Sequence, residues 1–154
     1  MLVPSKRLMQ RVLYGLMLLG ILCACGDRLA PTTPSLPVWL ELPLQSHTSL
    51  LSPGVMERIT QARLAHDRLG FAGVLVVRSL TEEAFFAYDL ACPYEMSPSV
   101  QLVQDDLQVR CPECGSQYDV LSGSGAPISG PSRSPLRPYR TQYISSTRVV
   151  RVMN

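Results

Sequence analysis

The chain has 154 residues, of which 46% are hydrophobic and 17% are charged, and its formal net charge is +2. This length allows one domain of ordinary size. The small net charge, with no basic stripe and few aromatic residues, argues against a nucleic-acid-binding surface. The 13 prolines and 10 glycines favour β structure and loops over helices. We therefore expect a small β-domain.

The first segment, residues 1–24, has the organisation of a signal peptide. Lys6, Arg7 and Arg11 precede an apolar run over residues 12–23. A basic start followed by an apolar run of this length is typical of secretory signals. The run is short for a membrane span, which needs about 20 apolar residues. We expect this segment to direct export and then to be removed.

The apolar run ends in Leu22-Cys-Ala-Cys25, which resembles a bacterial lipobox. In that motif the cysteine that follows two small residues receives the lipid. Cys25 fits this position better than Cys23, because Leu22 is too large to stand directly before the lipidated residue. The alternatives are a membrane anchor that is not cleaved, or an ordinary signal peptide with incidental cysteines. The lipobox implies a membrane-anchored protein of the bacterial cell envelope, outside the cytoplasm.

A proline-rich spacer follows the predicted lipidation site. Residues 25–37 contain Pro31, Pro34 and Pro37 among small polar residues. Such sequences form extended, semi-rigid linkers. We interpret residues 25–37 as a lipid anchor and tether, and residues 38–154 as the folded domain.

Strand patterns begin where the spacer ends. Residues 38–42 alternate between apolar and polar side chains, residues 74–78 are apolar and β-branched, and residues 84–90 are a candidate hairpin partner. Residues 55–69 fit either a helix or a strand, and periodicity alone leaves both open. The first half of the domain therefore predicts at least three strands.

The second half of the domain continues the same pattern. Residues 100–103 and 107–109 predict a hairpin, residues 118–121 a further strand, and residues 141–152 the closing strand segment. Residues 122–138 are rich in Gly, Pro and Ser and predict a surface loop. The total is about eight or nine short strands, which predicts an all-β, antiparallel fold.

Two cysteine-proline motifs carry the chemistry. One is Cys92-Pro-Tyr-Glu95 and the other is Cys111-Pro-Glu-Cys114, which Gly115 follows. Proline stiffens each turn and glycine permits a tight reversal, so several sulfur atoms can face one centre. The two motifs predict a pair of facing loops at the tip of the domain.

The order of these motifs resembles a Rieske-type 2Fe-2S domain. That family has Cys-x-His, a spacer, and then Cys-x-x-His followed by Gly-Ser-x-Phe/Tyr-Asp. This chain has Cys92-Pro-Tyr94, a spacer of similar length, and Cys111-Pro-Glu-Cys-Gly-Ser-Gln-Tyr-Asp119. The resemblance continues through Gly130-Pro131 and Leu136-Arg-Pro-Tyr139. It implies a small antiparallel Rieske-like β-sandwich or incomplete barrel with a two-loop, cluster-binding tip.

The resemblance also shows where this chain departs from the family. Tyr94 and Cys114 stand where the family has its histidine ligands, and His47 and His66 lie outside the motifs. A Rieske centre depends on two imidazole ligands for its high reduction potential. The family also places cluster hydrogen bonds at the positions of Ser116 and Tyr118. Together these matches imply a variant site.

Three site hypotheses follow. The first is a 2Fe-2S cluster bound by Cys92, Cys111, Cys114 and an oxygen ligand, either Tyr94 or Glu95. The second is zinc, because Cys-Pro-x-Cys-Gly is the turn found in zinc-ribbon and rubredoxin-type sites. The third is no metal, with a disulfide from Cys92 to one of the other two thiols, since thiols outside the cytoplasm tend to oxidise.

Two functions correspond to these hypotheses. With a cluster, the protein is a membrane-tethered electron-transfer lipoprotein that passes electrons to a redox protein partner. Without one, it is a non-redox binding or structural lipoprotein with a degenerate Rieske fold. The chain contains no arrangement of a nucleophile and a base, and no pair of catalytic carboxylates at credible positions. We therefore expect a module and not an independent catalyst.

We predict that the mature protein begins at Cys25 and that this residue carries the lipid. Mass spectrometry of the protein extracted from membranes should find acyl chains on an N-terminal Cys25. A mature N-terminus elsewhere, without lipid, would contradict the lipobox assignment.

Overall fold

The computed structural model describes residue 7 and residues 30–154 of the chain. Within residues 30–154 the structure is all-β, which confirms the predicted fold class. A short 3-10 helix (Thr48–Leu51) follows the first strand. The strands are β1 (Val38–Pro43), β2 (Met56–Ile59), β3 (Arg68–Leu69), β4 (Val74–Arg78), β5 (Phe85–Asp89), β6 (Val103–Asp105), β7 (Gln108–Arg110), β8 (Gln117–Tyr118), β9 (Pro127–Ser129), β10 (Pro138–Ile144) and β11 (Val149–Met153).

The strands form two antiparallel sheets. The large sheet has seven strands in the order β2-β4-β5-β10-β11-β1-β3, and the small sheet has four in the order β6-β7-β8-β9. Six strands of the large sheet contribute side chains to a single apolar core. The large sheet therefore curls around that core as an incomplete barrel, as the sequence predicts.

Strand β4 shows how the two sheets are joined. Its side chains at Val74 and Val76 point into the core of the large sheet. Leu75 and Val77 point the other way, into a second core that includes Val109 and other residues of the small sheet. Because successive side chains of a strand point to opposite faces, a strand between two cores must be apolar throughout. This arrangement explains why residues 74–77 are all apolar and completely buried.

The segment that fits both helix and strand forms strands. Residues 56–59 are β2, which pairs with β4 from Met56 opposite Val77 to Ile59 opposite Val74. Residues 68–69 are β3, which pairs with the start of β1. Pairing with β4 satisfies the backbone of β2 and buries both Met56 and Ile59. Tertiary pairing thus decides what the local pattern left open.

The structure corrects two predictions for the second half of the domain. The predicted loop over residues 122–138 contains strand β9. All three of its residues are partly or fully exposed, so the strand has no alternation of buried and exposed side chains. The closing segment over residues 141–152 is a hairpin of β10 and β11, and Arg148 adopts a positive φ of 54° in its turn. The described residues therefore contain eleven strands, more than the eight or nine expected.

The described part of the predicted tether lies against the domain. Thr33 is 1% exposed, and the Arg137 guanidinium donates hydrogen bonds to the carbonyls of Thr33 and, at 3.3 Å, Pro31. Thr32 Oγ1 donates to the carbonyl of Pro93 at 2.9 Å. Residues 31–33 therefore pack beside the first cysteine loop.

Apart from residue 7, the predicted signal peptide lies outside the described residues, and so does the lipidation site. Among the residues that the structure does describe, no helix has the length and apolar character needed to cross a membrane.

A buried carboxylate links the large sheet to the first cysteine motif. Asp89, at the end of β5, is completely buried. It accepts hydrogen bonds from the backbone N–H groups of Phe71 at 2.8 Å and Ala91 at 2.8 Å, and from the Tyr139 hydroxyl at 2.5 Å. Burial, followed by the hydrogen bond to Asp89, raises the pKa of Tyr139 above its ordinary value. Tyr139 therefore stays protonated and remains a donor.

We predict that Tyr139→Phe lowers the free energy of unfolding by about 1.5–3 kcal/mol, because it removes a hydrogen bond to a buried carboxylate. Urea denaturation measures this difference. Tyr143→Phe is the matched control, since Tyr143 is half-buried and its ring packs 5.5 Å from that of Phe85. We expect the control to change stability by less than about 0.5 kcal/mol. Equal effects of the two variants would show that the Tyr139 bond is not stabilising.

Candidate metal centre

Two short loops with matching backbones form the site. Loop 1 is residues 92–96, which follow β5, and loop 2 is residues 111–115, between β7 and β8. In loop 1 the Cys92 carbonyl accepts a hydrogen bond from the Met96 N–H at 2.9 Å. In loop 2 the Cys111 carbonyl accepts one from the Gly115 N–H at 3.1 Å. Each loop therefore begins with Cys-Pro and closes with the same backbone bond.

The fifth residue of each loop has a left-handed backbone. Gly115 has φ 73°, and Met96 has φ 49°. Glycine adopts this conformation without strain, whereas a residue with a side chain adopts it at a cost of about 1–2 kcal/mol. The sequence signalled this reversal in loop 2 through Gly115 but gave no sign of it in loop 1.

The two loops bring the three predicted thiols together. The Sγ atoms of Cys92, Cys111 and Cys114 all lie within 4.8 Å of one another, and those of Cys92 and Cys114 are 3.7 Å apart. Cys92 and Cys111 are completely buried, while Cys114 is partly exposed. The cluster therefore lies at the base of the tip and is open to the surface on the Cys114 side.

Two hydroxyl groups contact the sulfur atoms. The Tyr118 hydroxyl lies 3.4 Å from Cys92 Sγ, and Ser116 Oγ lies 3.2 Å from Cys114 Sγ. Ser116 Oγ also accepts a hydrogen bond from the Ser132 N–H at 3.0 Å, which leaves its own proton free for a sulfur acceptor. When Cys114 is a thiol it donates to Ser116, and when it is a thiolate the hydroxyl donates instead. Both hydroxyl groups therefore lie within hydrogen-bonding distance of a cysteine sulfur.

Among the hydrogen bonds of residues 30–154, none joins Tyr94 or His47 to a cysteine sulfur. The Tyr94 side chain is 56% exposed, and the phenol in contact with a thiol is that of Tyr118. His47 is buried elsewhere, where its Nδ1 lies 2.5 Å from Glu57 Oε1. In residues 30–154, the side chains close enough together to hold one metal ion are three cysteines, without a histidine.

The thiols differ in acidity. Burial raises the pKa of Cys111 to about 12, although backbone N–H groups of loop 2 oppose this effect. Burial also acts to raise the pKa of Cys114, but hydrogen bonds from the Ser116 side chain and backbone outweigh it and hold the value below the ordinary one. Burial, followed by the Cys92 contact, raises the pKa of Tyr118, so this phenol stays protonated and can donate to sulfur. Without metal, Cys114 therefore ionises more readily than Cys111.

Residues 130–132, which follow β9, pack against Ser116, and this contact was only partly foreseen. The sequence singled out Gly130 and Pro131 but missed the Ser132 N–H that holds Ser116. A Cβ atom at Gly130 would lie 2.5 Å from Ser116 Cα, so only glycine allows this close approach. The buried Asp89 was also missed, although a charged residue in an otherwise apolar strand is a signal that could have found it.

The donor set suits a metal ion but does not suit a Rieske centre. Cysteine thiolates bind zinc and iron, and three of them converge here. A Rieske centre needs two imidazoles on one of its irons, and neither histidine of the chain belongs to the cluster. The residues present therefore fit a thiolate-rich metal site.

Comparison with known proteins gives matches only to solved structures. No protein-family model and no curated protein sequence matches the chain. One similar structure is a complex of reduced oxygenase and oxidized ferredoxin in carbazole 1,9a-dioxygenase. The TM-score is 0.49 and the sequence identity is 20%, and the match covers 75% of this chain and 93% of that chain. Another is the ferredoxin of carbazole 1,9a-dioxygenase from Nocardioides aromaticivorans IC177, with a TM-score of 0.44, 20% identity, and coverage of 78% and 97%. Such distant likenesses leave the ligands and the reaction to be argued from the residues of this chain.

We predict that Cys114 is alkylated first when the metal-free, reduced protein is treated with iodoacetamide near neutral pH. Its lowered pKa increases the thiolate fraction at that pH, and it is the only one of the three thiols that is not buried. Cys111 should react more slowly than Cys114, because its pKa is raised to about 12.

Fragmentation mass spectrometry locates the label, since Cys111 and Cys114 lie on one tryptic peptide. Protein unfolded in urea is the control, in which the three thiols should react at similar rates. Faster labelling of Cys111 than of Cys114 in the folded protein would contradict the assigned acidity order.

Proposed function

We propose that this protein is a lipid-tethered metal–thiolate module of the bacterial cell envelope, with Cys92, Cys111 and Cys114 as its metal ligands. The observation that carries this proposal is the convergence of three sulfur atoms within 4.8 Å from two separate loops. Three neutral thiols could be buried in a protein core without their sulfur atoms lying so close together. A bound cation would offset the mutual repulsion of three thiolates.

The spacing of the sulfur atoms favours a single tetrahedral ion, and we propose zinc as that ion. With a metal–sulfur distance of about 2.3 Å, two tetrahedral ligands of one zinc lie roughly 3.8 Å apart. The distance from Cys92 to Cys114 is 3.7 Å, which is close to that value. In a 2Fe-2S cluster each iron binds two protein ligands, so three cysteines are divided between the two irons. Because bridging sulfides separate the metals, the three sulfur atoms could not then all lie within 4.8 Å of one another, as they do here. In this form the protein has a structural or binding role and does not transfer electrons.

The second candidate is electron transfer by a 2Fe-2S cluster with atypical ligands, in the manner of a Rieske-like module. Hydroxyl contacts to sulfur support it, because Ser116 and Tyr118 lie 3.2 Å and 3.4 Å from cysteine sulfurs. Hydrogen bonds to sulfur are one of the means by which proteins tune the potential of iron–sulfur clusters. The exposed rim of loops 1 and 2 would then face a redox protein partner.

The proposed tether sets the location of the site. Lipid on Cys25 would hold the domain at a membrane surface, and the packing of residues 31–33 beside Pro93 brings the tether close to loop 1. A partner of the site would therefore be sought at the same membrane face.

We predict that the protein purified under anaerobic, reducing conditions contains one zinc ion per chain and is colourless. Elemental analysis and visible absorption measure this. Replacing Cys92, Cys111 or Cys114 by serine should lower the zinc content severely, whereas Ser99→Ala, at an exposed position after loop 1, should leave it unchanged. Iron with visible charge-transfer bands would instead support the second candidate. The absence of both metals would reject the metal proposal.

If iron is bound, the potential separates this site from a Rieske centre. Anionic ligands in place of two histidines should lower the potential from the Rieske range of about −150 to +300 mV toward about −400 mV. The potential should also lack the pH dependence that titrating imidazoles cause. The double substitution Tyr94→His and Cys114→His should raise the potential. A double variant that takes up no iron would show that these loops cannot form a Rieske cavity.

A further inference from the structure

The matching backbones of loops 1 and 2 allow their residues to be compared position by position. The first position of each is a cysteine that is completely buried, Cys92 or Cys111. The fifth is a left-handed residue whose N–H closes the turn, Met96 or Gly115. With both ends equivalent, the fourth position of loop 1, Glu95, corresponds to Cys114 of loop 2.

Exposure supports the same alignment at the third and fourth positions. At the third position, Tyr94 and Glu113 are both exposed, so these side chains point outward in both loops. At the fourth position, Glu95 and Cys114 are both partly buried. The loop that carries Cys114 toward the metal thus has a counterpart that carries Glu95 and not Tyr94.

The backbone of Met96 provides an independent indication. Its φ of 49° is unfavourable for a residue with a side chain, and its side chain is 51% exposed, so little packing is gained in return. Such strain persists only where the surrounding structure imposes it. Loop 1 therefore forms the same turn as loop 2, although its fifth residue is not a glycine.

We infer that the Glu95 carboxylate is the fourth ligand of the metal centre and completes a site with three thiolates and one carboxylate. This inference rests on the proposed metal-binding function. None of the ion pairs within residues 30–154 involves Glu95, so no cation in this part of the chain is paired with its carboxylate.

Ligand chemistry favours Glu95 over its neighbour. Carboxylates are among the side chains that bind zinc in proteins, together with cysteine and histidine, whereas tyrosine is not one of these usual ligands. Zinc accepts a carboxylate oxygen at about 2.0–2.2 Å in tetrahedral sites. The Glu95 carboxylate lies outside the group of mutually close sulfur atoms. Binding therefore requires the Glu95 side chain to turn toward the sulfur atoms.

The test uses the full-length, reduced chain titrated with zinc against a chromophoric chelator. Glu95→Gln removes the anionic ligand and should weaken zinc affinity at least about 10-fold. Glu113→Gln is the matched control, because it makes the same change at an exposed position of loop 2, and its affinity should equal that of the wild type. Glu95→Cys should restore tight binding, and with cobalt it should strengthen the thiolate charge-transfer absorption through a fourth sulfur.

The outcomes separate this inference from the proposed function. If the wild-type chain binds no zinc and no cobalt, the metal proposal fails and the ligand assignment fails with it. If the wild type binds but Glu95→Gln binds equally well, only the Glu95 assignment is overturned. Weaker binding in Tyr94→Phe together with unchanged binding in Glu95→Gln would also overturn it, because the phenol would then be the ligand. Thermal unfolding of each metal-free variant checks that the fold is intact.

Discussion

Loops 1 and 2 extend from different sheets, and their cysteines can meet only if the two sheets are held in a fixed relative position. Loop 1 extends from β5 of the large sheet, whereas loop 2 joins β7 to β8 of the small sheet. The sheets are held together by a shared core in which Leu75 and Val77 pack with Val109 and Tyr118. Full burial of one such apolar side chain contributes about 1.5–3 kcal/mol. The positions of the sulfur atoms therefore depend on core packing more than on contacts between the loops.

Polar contacts then orient the groups that the core brings together. Asp89 fixes the end of β5 just before loop 1, with Tyr139 as its buried donor. Ser116 is held by the Ser132 N–H and reaches Cys114. These groups are buried and have partners, as the cost of an unsatisfied polar group in a protein interior demands. Neutral thiols can occupy this site without metal, but three thiolates need a cation to balance their charge, so metal binding and thiol ionisation are coupled.

A fold and its site can diverge because they depend on different residues. The two-loop tip needs strand pairing, a shared core and tight turns, and this chain has all three. A Rieske centre needs two imidazoles as well, and the group of three cysteines in this chain includes no histidine. The chemistry therefore has to be argued from the donor atoms present. Those donors are thiolates, whose negative charge favours zinc or a low-potential iron centre.

The sequence alone determined the all-β class, most of the strands, and the three thiols that form the cluster. Alternation within strands and the Cys-Pro turns are local signals, so they can be recognised without a structure. Strand β9 and the strand character of residues 56–59 could not be recognised, because pairing with a distant strand stabilises them while their own patterns are weak or ambiguous.

The tertiary structure alone decided how the thiols are spaced and which hydroxyl groups reach them. It also placed the buried Asp89 beneath loop 1 and revealed the strained Met96, which makes loop 1 a counterpart of loop 2. Distances between residues far apart in sequence, and backbone angles imposed by a closed turn, are properties of the folded chain. They depend on packing between sheets, so no local pattern of residues encodes them.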